Sequence, residues 1–123
     1  MIILVQRVKQ ASVLINNKVF SSINKGLLLF LGIENKDKLN DINFIIDKLL
    51  TLRVFNDKKN KMNLSINEKK GSILVVSQFT LCANLNDGNR PGFSNAKNKN
   101  DAFILYNYFI KILKNKYKHI VKH

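Results

Sequence analysis

The run Gly26-Leu27-Leu28-Leu29-Phe30-Leu31-Gly32-Ile33, closed by Lys25 and Glu34, constrains this chain more than any other feature. It is far shorter than the roughly 20 apolar residues a bilayer span needs. It reads as a buried strand, and the rest of the chain must supply what buries it. A chain of 123 residues is enough for one domain with one core and too short for two. Its 46% hydrophobic and 24% charged residues are ordinary for a soluble globular protein.

The remaining elements follow from periodicity. Residues 2–8 and 12–20 are rich in Ile, Val and Leu with partial alternation, and Asn16-Asn17 between Ile15 and Val19 signals a hairpin turn. Asn24-Lys25-Gly26 is a further turn into the apolar run. From Leu39 the period changes. Leu39, Ile42, Ile45, Ile46, Leu49 and Leu50 make one helical stripe, with Asp37 the expected N-cap. Arg53-Val54-Phe55 reads as a short strand, Lys58 to Lys61 as a solvated turn and Met62 to Ser65 as a brief edge strand. Gly71 opens a strong strand over Ser72–Leu81. Residues 82–100 show no period and read as a long loop, a feature that is often functional. A second helix, capped by Asn100 or Asp101, places Ala102, Leu105, Tyr106, Phe109, Ile112 and Leu113 on one face. Lys114 to His123 reads as a frayed basic tail. The expected fold is α/β or α+β, a single compact domain with a mixed sheet and two helices.

The charge of +13 points to a polyanionic partner such as RNA. Only Arg7, Arg53 and Arg90 among the 21 basic residues are arginines, the usage of an AT-rich genome, so the charge permits RNA binding without diagnosing it. The single cysteine, Cys82, excludes an internal disulfide and fits a reducing compartment. A catalytic thiol needs a base, and the only histidines, His119 and His123, sit at the far end of the chain, so Cys82 reads as a small strand-end residue. Two histidines and one cysteine give no zinc-ligand spacing, and no metal is expected. The N-terminal residues lack the pattern of a signal peptide, which gives a cytoplasmic expectation and no membrane partner.

The chemically suggestive residues are Ser77-Gln78-Phe79-Thr80. A core strand should not gather Ser, Gln and Thr at its C-terminal end unless those groups have partners. The carboxyl ends of strands in α/β sheets are where ligands bind. A strand running out into solvent would end in the same way, and the residues alone leave both readings open. Arg90-Pro91-Gly92-Phe93-Ser94 holds the only proline. It is either a plain turn or a rigid arginine-bearing loop near that strand end.

Val75-Val76-Ser77-Gln78-Phe79-Thr80-Leu81 resembles the signature strand of the D-aminoacyl-tRNA deacylase family. Gln6-Arg7-Val8 with Ala11-Ser12-Val13 resembles the family's opening strand, and Gly26 to Glu34 its Gly-Leu-Leu strand. Arg53-Val54-Phe55 with Lys61-Met62-Asn63-Leu64, then Arg90-Pro91-Gly92-Phe93-Ser94, then Leu105-Tyr106-Asn107-Tyr108-Phe109 resemble later blocks. The blocks stand in family order and cover nearly the whole chain. The family also carries a C-terminal Asn-x-Gly-Pro-Val-Thr segment with a cis Gly-Pro bond that reaches across the dimer and excludes L-amino acids. Nothing in residues 1–123 resembles it, so the chain is expected to be a single deacylase-like domain, C-terminally shortened relative to the family and without that route to chiral selection.

The resemblance implies hydrolysis of the ester of D-aminoacyl-tRNA, with mischarged glycyl-tRNA a further substrate. It implies no metal or organic cofactor, no DNA partner and a homodimer with a β-barrel arrangement. Backbone N–H groups at Phe79 and Thr80 would stabilise the tetrahedral oxyanion. Thr80 is either the nucleophile or a bystander to a water aided by the substrate's 2′-hydroxyl. The second is favoured, because no nearby base for Thr80 is evident in the sequence. Ser77 and Gln78 would then position ribose and adenine, Met62, Arg90 and Phe93 would bind substrate, and Arg7 would support the site and dimer. A non-catalytic tRNA-binding homologue and a Cys82-dependent hydrolase are the competing readings.

Overall fold

The computed structural model describes residues 1–86 and 88–123; Asp87, within the expected loop 82–100, lies outside the described residues. The apolar run forms β4 (Gly26–Gly32) at the centre of a four-stranded sheet. β1 (Ile2–Val8) pairs with it antiparallel, and β7 (Ser72–Ser77) pairs parallel on its other side. The sheet closes on β8 (Val121–Lys122), parallel to β7. The order is β1-β4-β7-β8, an open sheet with mixed strand directions. No closed barrel is present among the described residues, which corrects the barrel expectation. The two-residue β8 is too short to carry the sheet round to β1. Gly26 is obligatory at the β4–β7 crossing, because a Cβ there would lie 1.8 Å from the Ser72 carbonyl oxygen.

β2 (Ala11–Ile15) and β3 (Lys18–Ile23) form the expected hairpin. Its two-residue turn puts Asn16 and Asn17 at φ 50° and 61°, the left-handed pair a type I′ turn requires. The first helix, α1 (Leu39–Thr51), buries Ile42, Ile46, Leu49 and Leu50. Its N-cap is Lys38, not Asp37. The Asp37 carboxylate instead holds the Met1 α-amino group, together with Glu34, whose oxygen is 2.8 Å away. Burial would lower the pKa of that amino group, but its hydrogen bonds to Asp37 and Glu34 outweigh burial and raise it.

β5 (Phe55–Asn56) and β6 (Met62–Leu64) pair as a separate small ladder. A third, short helix, α2 (Ile66–Lys69), was outside the two-helix expectation. Its capping box is reciprocal: Ser65 Oγ accepts from the Glu68 N–H, and the Glu68 carboxylate accepts from the Ser65 N–H at 2.7 Å. The last helix, α3 (Lys99–Lys116), begins earlier than expected because Asn98 is its cap and accepts from the Asp101 N–H at 3.0 Å. The tail is not frayed: it returns to β7 as β8.

The core joins alternate β4 residues, Leu27, Leu29 and Leu31, to Ile73 and Val75 of β7, Ile42 and Ile46 of α1, and Phe109 and Leu113 of α3. Each fully buried side chain of this kind contributes about 1.5–3 kcal/mol. Together they hold the C-terminal ends of β4 and β7 side by side. Among the described residues, no helix is long and apolar enough to cross a membrane.

Candidate active site

β7 stops at Ser77, short of the expected Leu81. The last sheet bond is donated by the Gln78 N–H to the Leu31 carbonyl at 2.8 Å, after which Phe79–Cys82 wind into a 3-10 turn. Gly32 makes that turn possible. A Cβ there would meet Leu81 Cβ at 2.9 Å, with Cys82 Sγ and the Gln78 carbonyl oxygen at 3.2 Å. The turn therefore sits directly on the end of β4.

The first N–H groups of such a turn have no preceding turn to donate into. Among the described residues no main-chain carbonyl accepts from the N–H of Phe79 or Thr80, while Leu81 and Ala83 donate to Gln78 and Thr80. Phe79 and Thr80 are both exposed. Gln78 Nε2 donates to Thr80 Oγ1 at 2.5 Å. No carboxylate or imidazole is bonded to that hydroxyl among the described residues.

Phe93 joins this cluster. Its ring meets that of Phe79 edge-on, with centroids 5.1 Å apart. The loop carrying it is tied to the fold at several points, although its sequence has no period. Asn84 and Gly92 exchange both main-chain hydrogen bonds, at 2.8 and 2.9 Å. Asn35 Nδ2 donates to the Ser94 carbonyl at 2.6 Å, and the Lys97 N–H donates to Ile33 at 2.9 Å. Arg90 is exposed on this loop and enters no ion pair among the described residues.

Beside the turn lies a cavity of about 800 Å³ lined by Ser77, Phe79, Lys99, Ala102, Phe103 and Tyr106, among others. Sequence reasoning missed its helix wall. It assigned Tyr106 to the core face of the helix, where the hydroxyl does donate to the Val75 carbonyl at 3.1 Å, but the ring also borders the cavity. His123, distant in sequence, is brought by β8 to 6.3 Å from the Tyr106 ring. Burial and the nearby Lys114 lower its pKa. It makes no hydrogen bond to Ser77 or Thr80 among the described residues.

The other two expected residues lie elsewhere. Arg7 is paired with Leu27 near the opposite end of β4, and its Nη1 donates to Asn56 Oδ1 at 3.0 Å. Met62 pairs with the same Asn56. One chain thus holds two clusters: Ser77, Gln78, Phe79, Thr80 and Phe93 at one end of the sheet, Arg7 and Met62 towards the other. Cys82 is buried at 3% exposure against Gly32, and burial raises its pKa, with Glu34 adding to the effect. That is the reverse of what a nucleophilic thiol needs. Among the described residues no group of three His, Cys, Asp or Glu side chains is placed to hold a metal ion.

Fold and site together define a small α+β domain with a donor-bearing turn at the end of its central parallel strand pair. The family model of D-Tyr-tRNA(Tyr) deacylase matches residues 4–123. The chain is 53% identical over 112 residues to a D-aminoacyl-tRNA deacylase of Dictyoglomus turgidum, covering 91% of this chain and 72% of that protein. It is 47% identical to the D-aminoacyl-tRNA deacylase of Thermodesulfovibrio yellowstonii, covering 94% and 80%. A solved structure described as a c-Myc DNA unwinding element binding protein superposes with a TM-score of 0.92 at 36% identity, over 98% of this chain and 81% of that one. A probable eukaryotic D-amino acid tRNA deacylase shares the fold, with a TM-score of 0.77 at 19% identity, over 94% and 68%. The chain belongs to the D-Tyr-tRNA(Tyr) deacylase family.

Proposed function

We propose that this protein hydrolyses the ester joining a D-amino acid to the 3′ end of tRNA, releasing the free D-amino acid and the tRNA. Mischarged glycyl-tRNA is a second substrate, hydrolysed by the same route. The observation that carries the reading is the family membership of a chain whose Ser77–Thr80 segment presents two main-chain donors at an exposed strand end. Water adds to the ester carbonyl, the carbon–oxygen bond to the ribose breaks, and the ribose oxygen takes up a proton. The charge that develops is the tetrahedral oxyanion. The N–H groups of Phe79 and Thr80 stabilise it, each such donor being worth about 10²–10³ in rate. The substrate's 2′-hydroxyl assists the water. What supports water over Thr80 as nucleophile is the hydroxyl's neighbour, an amide with no basicity. Ser77 and Gln78 position ribose and adenine, Phe93 walls the site through Phe79, and Arg90 and Met62 contact substrate.

The protein acts as a homodimer in the cytoplasm, where aminoacyl-tRNA is used. Two features support the dimer. The Arg7–Met62 cluster stands apart from Thr80 within one chain, and the β2–β3 hairpin exposes Leu14, Val19 and Phe20. The test is release of D-tyrosine from D-tyrosyl-tRNA. A rate well above spontaneous hydrolysis is expected, and no release by protein shown to be folded would reject the reading.

A further inference from the structure

The end of the sheet away from Thr80 is floored by a backbone crossing. The Ser72 N–H donates to the Lys25 carbonyl at 3.0 Å, and a Cβ on Gly71 would lie 2.9 Å from that same carbonyl. The crossing brings Lys25 beside Lys70, whose left-handed φ of 52° ends α2. Two adjoining hollows open here, of about 380 and 320 Å³, sharing Lys25, Phe55 and Lys69. Lys70 borders the first, and Arg7 and Lys9 border the second. Among the described residues no carboxylate lines either hollow, and none of these lysines is in an ion pair. Asp57, the carboxylate that feels Lys69, is already satisfied by the Lys61 and Lys59 N–H groups and by the Asn63 amide. Lysine is abundant everywhere in this chain, so its number says nothing. Its gathering around a concave floor without acids is what a polyanion needs: unpaired cations in a groove where their fields add.

We infer that this groove, formed by Lys9, Lys25, Lys69 and Lys70, grips the phosphodiester backbone of the tRNA body while the aminoacyl end is held elsewhere. The inference rests on the tRNA reading above. Within one chain the groove and the Ser77 turn stand about 16 Å apart, five residue steps along the six-residue β7 at about 3.3 Å each, so a ligand reaching both on one protomer must be long as well as anionic. Lysines facing phosphates act as point charges that release counterions, so their contribution is read in salt dependence.

The experiment measures binding of uncharged tRNA against KCl concentration for the wild type, for K25Q/K69Q/K70Q and for a control, K111Q/K114Q/K118Q, which removes the same charge from α3 and the segment after it. The groove triple should bind at least about tenfold more weakly near 0.1 M salt, with a log–log slope shallower by about 2 to 3. The control should change far less, and K25R/K69R/K70R should restore binding. With D-tyrosyl-tRNA the groove triple should raise KM far more than it lowers kcat. Its loss on that substrate should exceed its loss on the D-tyrosyl ester of adenosine, which has no backbone to grip. Wild-type binding by the groove triple would overturn the inference, as would an equal loss in the control or an equal loss on the adenosine ester. A wild type that binds tRNA through the groove but hydrolyses neither substrate would leave the groove standing and reject the enzymatic reading.

Discussion

Thr80 offers the substrate two different donors, a hydroxyl and a main-chain N–H, and the 3-10 turn gives them different surroundings. The hydroxyl accepts from the Gln78 amide, which leaves its own proton free to donate, while the N–H finds no main-chain acceptor among the described residues. If the N–H is the working group, Thr80→Ala should keep kcat within about tenfold of the wild type. Thr80→Pro, which removes the N–H, should lower kcat by about 10² or more. Thermal melts of both variants would separate lost chemistry from lost fold, and total inactivity in a folded alanine variant would make Thr80 the nucleophile. The polar end of an apolar strand was legible because Ser, Gln and Thr are costly to bury. The wall opposite was not. Helical spacing assigns Tyr106 to the core, and one side chain can serve both a core and a cavity. A second residue tests the structure away from the site. The Tyr117 hydroxyl, 2% exposed as a residue, donates to the Gly71 carbonyl at 2.5 Å, with the Ile66 carbonyl 3.3 Å away. Burial pushes its pKa from 10.0 up to about 12. The folded state therefore holds the phenol proton after the unfolded state has lost it, so this contribution is full below about pH 10 and is lost as pH rises towards 12. Denaturant titrations should show that fall, and Tyr117→Phe should flatten it while costing about 1–3 kcal/mol at neutral pH.

At the scale of elements, strong periodicity predicted well and short segments without a period poorly. β4, α1 and α3 were readable because each buries a regular set of side chains. α2 was missed because four residues have no period, and β8 because two pairs with Ile73 and Leu74 override a lysine-rich composition. Helix caps shifted where a tertiary partner intervened, as when Asp37 turned to the Met1 amino group. The end of β7 was unreadable for the same kind of reason: it is set by Gly32 on a different strand. That dependence predicts the outcome of Gly32→Ala. The new methyl would press on Leu81 Cβ, a backbone-tied atom at 2.9 Å, and on the Gln78 carbonyl at 3.2 Å, so the turn must shift. A displacement of a few tenths of an ångström misaims both N–H groups, and positioned donors tolerate little error. Activity should fall by about 10² while stability falls by about 1–3 kcal/mol, the usual cost of overpacking. Unchanged kcat in this variant would mean the turn is not where the chemistry is aligned. Ser65→Ala, which breaks the capping box far from the turn, should cost about 1 kcal/mol in denaturant melts with kcat unaffected.

At the scale of the whole molecule the chain exposes more apolar surface than one folded unit needs. The hairpin carries Leu14 at 58%, Val19 at 63% and Phe20 at 66% exposure, near a turn whose geometry fixes them there. Among the described residues β1 pairs with β4 along one edge, and no strand pairs with its other edge. Large apolar patches and open strand edges are costly for a monomer. A symmetric pair would cover one patch with its copy, since a two-fold interface uses the same surface twice. It would also account for Arg7 and Met62 standing apart from Thr80 within a chain, by letting one protomer's cluster serve its partner's site. Light scattering at micromolar concentration should therefore give twice the chain mass of 14.2 kDa. Val19→Lys with Phe20→Lys should shift the protein to monomer, because like charges then face each other across the axis, and deacylation should fall with the dimer. The monomer should still fold, since neither residue belongs to the core. A wild type that scatters as a clean monomer, or a monomeric double variant with full activity, would show that one chain holds a complete site and that the apolar hairpin serves something else.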